Sequence, residues 1–183
     1  YAVYQIISCI AKYNPSFDRV EFKTQLEDTF VDDMLITHPE KNIYHQLKNT
    51  KSLSWGKVNR QGDIAFDFAH QIEDCKEREE NFALKLVYSL KDSMVGEQTP
   101  EEIKAQTSTE YFDYLSDLNS LVIFSTPLKH ALMEITPDKT STDDLANIAS
   151  VFLGVWKGCD SKNGILLKEI IHRAENFRHI HLN

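Results

Sequence analysis

At 183 residues and 21.1 kDa, with 42% hydrophobic and 26% charged residues and only 6 Gly and 5 Pro, the chain has the composition of one ordinary globular domain, which excludes collagen-like, mucin-like and disordered classes. A net charge of −8 argues against a protein that coats itself in nucleic acid, and no apolar run approaches the roughly 18 residues of a membrane span. Cys9, Cys75 and Cys159 lie far apart and form no CxxC pair, so neither a disulfide framework nor a cysteine zinc site is signalled, and a reducing cytoplasm is expected.

In chain order, residues 1–13 carry Val3, Ile6, Ile7 and Ile10 at helical spacing, stopped by Asn14-Pro15. The absence of a Met or a signal-peptide pattern at this start makes a piece of a longer polypeptide the expectation. Residues 19–25 and 29–38 read as two strands joined by an acidic turn at Glu27-Asp28. Residues 42–49 read as a third strand. Alternation sends Ile43, His45 and Leu47 to one face and Tyr44, Gln46 and Lys48 to the other. After a polar loop, residues 63–80 predict a helix with Ile64, Phe68 and Ile72 inward, and 82–90 a fourth strand. The order α-β-β-β-α-β defines an α/β fold with a small mixed sheet. Beyond it, Thr99-Pro100-Glu101-Glu102 is a helix start, and helices are predicted over 109–132, 141–157 and 164–176, the second capped from the Ser141 to Asp144 cluster. Residues 1–95 are therefore read as the core and 96–183 as a helical lobe packed on it.

Charge is uneven along the chain. Residues 1–60 hold 8 Lys+Arg against 7 Asp+Glu, whereas 61–183 hold 12 against 21, so the acidity lies in the second part. From Lys48 to Arg60 there are four bases (Lys48, Lys51, Lys57, Arg60) and no acid. A basic loop on an acidic body fits a nucleic-acid site and fits a solvated loop equally.

The chemistry candidate is Asp33 at strand two followed, after twelve residues, by Gln46-Leu47-Lys48 on strand three. Neighbouring strands lie about 5 Å apart, so a carboxylate at the end of one can meet two side chains from the same face of the next. Oxygen ligands suit Mg²⁺, and an adjacent ammonium can orient a water or steady charge on a phosphate. On spacing alone, an edge-strand Asp with a surface Gln and Lys reads as well.

The motifs add a resemblance. VDDMLI on strand two, YHQLK on strand three, SLSWG after it and YQ in the first helix resemble the PD-(D/E)XK nuclease superfamily, in particular its Mrr-like subset ending in Gln-x-Lys. Within that subset the run is similar to double-stranded-DNA endonuclease domains that act as effectors in bacterial anti-phage systems of the CBASS and Lamassu type, with a weaker likeness in LANIASVFLGVWKG. The resemblance implies a restriction-endonuclease-like core, a cytoplasmic Mg²⁺- or Mn²⁺-dependent endonuclease, double-stranded DNA as substrate, and a homo-oligomer or regulatory sensor domain as partner, with no membrane. It implies that Asp33 and Gln46 hold the metal and that Lys48 is the catalytic lysine; on that reading the basic run places Lys51, Lys57 and Arg60 to track DNA. Asp33 is preferred to Asp32 because Met34-Leu35-Ile36 follows it at once. Gln46 departs from the acidic consensus: its carbonyl ligates without charge, so a further acid is sought, with Glu21 and Asp32 as candidates. Gln5 belongs to the resemblance and serves equally as a helix-surface residue. The alternative is a catalytically inactive relative that binds DNA or assembles with a partner.

Other features carry less. His172, His179 and His181 have no zinc-like spacing and read as a basic tail. No local signature makes Cys75 or Cys159 a nucleophile. The charged run 73–80 reads as a solvated helix face, and Trp55 as a loop anchor or a stacking surface.

Overall fold

The structure, a computed structural model, describes residues 1–13, 16–27, 29–94, 98–115 and 117–178. In chain order its elements are α1 (Ala2–Tyr13), a 3-10 turn (Phe17–Arg19), β1 (Glu21–Thr24), β2 (Met34–Thr37), β3 (Asn42–Lys48), α2 (Ile64–Glu77), β4 (Phe82–Tyr88), α3 (Glu101–Lys104), β5 (Thr107–Tyr111), α4 (Leu118–Phe124), α5 (Thr126–Ile135), α6 (Thr142–Lys157), β6 (Ile165–Leu166) and α7 (Leu167–Arg178). The chain is thus mixed α/β. It divides into two compact units, one of residues 22–112 and the other of 1–21 with 113–183. The boundary expected at 95–96 falls at residues outside those described, and α1, read from sequence with the strands, shares a unit with the C-terminal helices.

In the unit of residues 22–112 the strands run in the order β5-β4-β3-β2-β1. β2 and β3 are antiparallel, with Met34 opposite His45 and Leu35 opposite Tyr44, while β3, β4 and β5 are parallel. The parallel β3 to β4 step needs a crossover, and α2 supplies it. The inward stripe of α2 (Ala65, Phe68, Ile72, Cys75) packs with Tyr44, Leu84 and Leu86 of the sheet and with Trp55 of the preceding loop. Phe68 is fully buried and meets the Trp55 ring edge-on at 5.4 Å. Burying such a ring contributes about 2 to 3 kcal/mol, which makes it a principal anchor of α2 on the sheet.

The helix expected over 109–132 is corrected by the structure. Residues 107–111 form β5, hydrogen-bonded to β4 with Leu84 opposite Thr107 and Tyr88 opposite Tyr111. The strand is polar (TSTEY) and mostly exposed, so it shows no hydrophobic alternation; β-branched Thr107 and Thr109 and aromatic Tyr111 are its strand signal. The strong start at Thr99-Pro100 yields one turn, α3. The rest of the span breaks into α4 and α5 because Pro127 lies inside it, and proline fits a helix only in its first turn.

The other unit is helical. α1 packs on α5, α6 and α7, and α4 on α5 and α6, burying Ile6, Ile7, Ile10, Val122, Leu132 and Phe152. α6 starts as expected: the Ser141 hydroxyl accepts from the Asp144 N–H at 3.1 Å. Ahead of α7, Ile165 and Leu166 are extended, and the Leu167 N–H donates to the Val20 carbonyl at 2.8 Å. Among the described residues no helix is long and apolar enough to cross a membrane.

Candidate active site

Asp33 is the last residue before β2 begins. Continuing the β2/β3 register one step past Met34 and His45 sets it opposite Gln46, and the Gln46 amide donates to Asp33 Oδ2 at 2.7 Å. The Leu47 N–H donates to the same oxygen, also at 2.7 Å. The side chain therefore takes over the donor that the shorter strand leaves unpaired. Asp33 Oδ1 accepts from none of the described residues. Lys48 follows Gln46 by two positions on the same strand face and is half-buried; its ammonium forms no ion pair within 4 Å among the described residues.

α2 completes the surroundings. The Gln71 carbonyl oxygen accepts from the backbone N–H groups of Phe30 (3.0 Å) and Val31 (3.2 Å), tying the segment that leads into Asp33 to the helix. One turn earlier on the same helix face, Asp67 is half-buried, and burial pushes its carboxyl above the usual range; the Lys48 ammonium opposes that shift and the Asp32 carboxylate reinforces it. Asp67 was not anticipated from sequence, and neither was the role of Gln71. The signal for the second is visible in retrospect: Gln71 is fully buried beside the apolar stripe of Phe68, Ile72 and Cys75, and a buried amide needs partners.

The structure brings Asp33, Gln46 and Lys48 to one strand face, with Asp32 exposed beside them. Glu21 is half-buried at the start of β1 and ends the other unit; Gln5, in that unit too, donates to the Tyr1 hydroxyl at 2.7 Å. Lys51 and Lys57 are exposed in the loop ahead of α2. Arg60 is engaged: its guanidinium grips Asp63 with two hydrogen bonds of 2.7 Å, and the Lys57 N–H donates to the same carboxylate at 2.7 Å. These bonds hold the Asp63 carboxyl below its usual range and raise Arg60. Gly56 closes the loop at a left-handed φ of +67°, where a Cβ would collide with the Asp63 side chain. Trp55 is only 2% exposed and anchors this loop, so its ring offers no stacking surface. His172 lies on α7 and contacts Asn176, while His179 and His181 lie outside the described residues.

On the metal question the donor set is one carboxylate and one amide. Among the described residues no group of three or more His, Cys, Asp or Glu is gathered to hold an ion. Asp33 Oδ1 is open to a ligand, and a half-turn of the Gln46 amide exchanges its donor for the carbonyl oxygen. Such a set fits an ion that keeps most of its waters, as Mg²⁺ does.

The opposite face of β3 carries a titration consequence. His45 is 1% exposed, and burial first, with the Lys85 ammonium second, pushes its pKa down to about 3. The unfolded chain then takes up the proton first, near the ordinary value of 6.5. Stability is whole above about pH 6.5 and declines toward pH 3, by up to about 1.4 kcal/mol per pH unit. Urea unfolding in chelator at pH 7 and pH 5 is expected to show this loss, and His45→Gln to reduce it; an equal loss in the variant assigns the acid sensitivity to other groups.

Comparison with protein-family models, with curated proteins and with solved structures returned no match.

Proposed function

We propose that the chain is a metal-dependent endonuclease domain of PD-(D/E)XK type that hydrolyses phosphodiester bonds of double-stranded DNA, serving as a cytoplasmic anti-phage effector and working as a homo-oligomer or under a sensor partner. The observation that carries this reading is the 2.7 Å bond between Gln46 and Asp33 across β2 and β3, with Lys48 two residues on along the same strand face. Asp33 and Gln46 would hold Mg²⁺ or Mn²⁺, which when bound supplies positive charge to a phosphate and acidifies a water. Lys48, on the same strand face, would orient the attacking water and offset charge that develops on the phosphate. Lys51 and Lys57 supply exposed charge for the DNA backbone; Arg60 adds to them only by releasing Asp63.

The test is conversion of supercoiled plasmid to nicked and linear forms. Activity is expected with Mg²⁺ or Mn²⁺ and none in chelator. Oligomerisation gates many effector enzymes, so the assay includes the chain fused to a forced dimer. Inactivity of both forms at high concentration would overturn the catalytic reading.

A further inference from the structure

We propose that the groove between the loop at residues 58–59 and the outward face of α2 is a nucleobase-binding site. The groove measures about 570 Å³, within the roughly 300 to 1,000 Å³ of small-molecule sites, and Val58, Asn59, Phe66, His70 and Lys76 are among the residues that line it.

Its wall is aromatic. The His70 ring lies 4.2 Å from that of Phe66, tilted by 59°, and on the Phe30 side it is stacked at 5.1 Å and 27°. Phe66 and His70 line the groove, and Phe30, which does not, backs the His70 ring. The backbone of Phe30 behind it is tied to α2, its N–H donating to the buried Gln71 at 3.0 Å. A fixed aromatic wall favours a flat π-system, and stacking of a base on such a wall is sequence-tolerant. The Asn59 side chain supplies what the wall does not: an amide with both a donor and an acceptor, exposed and bonded to none of the described residues. Paired donor and acceptor atoms are what the edge of a nucleobase presents.

The charged lining narrows the ligand further. Glu73 and Glu102 face the same groove against one ammonium, Lys76, so the lining holds no excess of positive charge for phosphates and recognition falls on the base itself. Such a base can come from a single DNA strand or from a free mononucleotide.

The site does not rest on the nuclease reading, and its test runs in chelator without metal, where no cleavage can intervene. The probes are 2-aminopurine riboside 5′-monophosphate and a single-stranded oligonucleotide carrying one 2-aminopurine; stacking quenches the emission of both. Severalfold quenching at saturating protein is expected for at least one probe. Quenching of the oligonucleotide alone assigns the base to a strand; quenching of the monophosphate as well assigns the groove to free nucleotides. His70→Ala and Asn59→Asp are each expected to weaken binding about tenfold, and Phe66→Tyr to preserve it. Both weakened positions are solvent-accessible, so these variants keep the fold, checked by circular dichroism. Absence of quenching with both probes, or quenching that survives both weakening substitutions, would overturn the assignment.

Discussion

Lys48→Ala is expected to lower plasmid cleavage in Mg²⁺ by about a hundredfold or more, the usual consequence of removing a group that stabilises charge in a transition state. The thermal midpoint should barely move. Lys48 is half-buried and its side chain makes no hydrogen bond or ion pair with the described residues, so truncation withdraws only a through-space charge from Asp67 and costs about 1 kcal/mol. A gel assay beside a melting curve reads both quantities. Cleavage equal to the parent protein would remove Lys48 from the chemistry, and with it the proposed mechanism.

The second large effect is expected at Gln71, which touches no substrate in the proposed function. Gln71→Leu keeps the volume near constant and removes the acceptor shared by the Phe30 and Val31 N–H groups. Val31 is fully buried, so its donor has no water to turn to. Stranding a buried donor costs about 1 to 3 kcal/mol, and with the partly solvated Phe30 donor the total is about 2 to 4 kcal/mol. Urea unfolding measures that loss. Native-state hydrogen exchange locates it, because amides 30 and 31 should lose protection selectively. Cleavage should fall more than tenfold even where the variant is folded, because the segment entering Asp33 is no longer clasped to α2. Retained protection at 30 and 31 would show that the clasp is dispensable.

Much of the candidate site was legible because it depends on strand geometry. A period of two fixes which side chains of residues 42–48 share a face, and a short connection between antiparallel neighbours sets Asp33 against Gln46. The helical contribution was not legible. Asp67 and Gln71 are polar residues on an amphipathic helix, and sequence alone gives such residues to solvent unless the tertiary partner is known. β5 escaped for the opposite reason, since a polar edge strand carries no buried face to impose alternation. Arg60 and Asp63 stand three residues apart, a spacing that permits pairing; the charge of the loop up to Arg60 does not reveal it, because the neutralising acid lies just beyond.

The divided use of the Asp33 carboxylate bears on how the site can be dissected. One oxygen is structural, accepting from Gln46 and Leu47, and the other faces outward. Alanine at 33 would erase both duties at once, and an inactive alanine variant would say nothing about which mattered. Asparagine separates them. Its carbonyl can occupy the inner position and keep the strand junction closed, while its amide turns the outward acceptor into a donor that repels a cation. An intact fold with lost metal response in Asp33→Asn, set beside an unravelled strand end in Asp33→Ala, would let one side chain report separately on architecture and on chemistry.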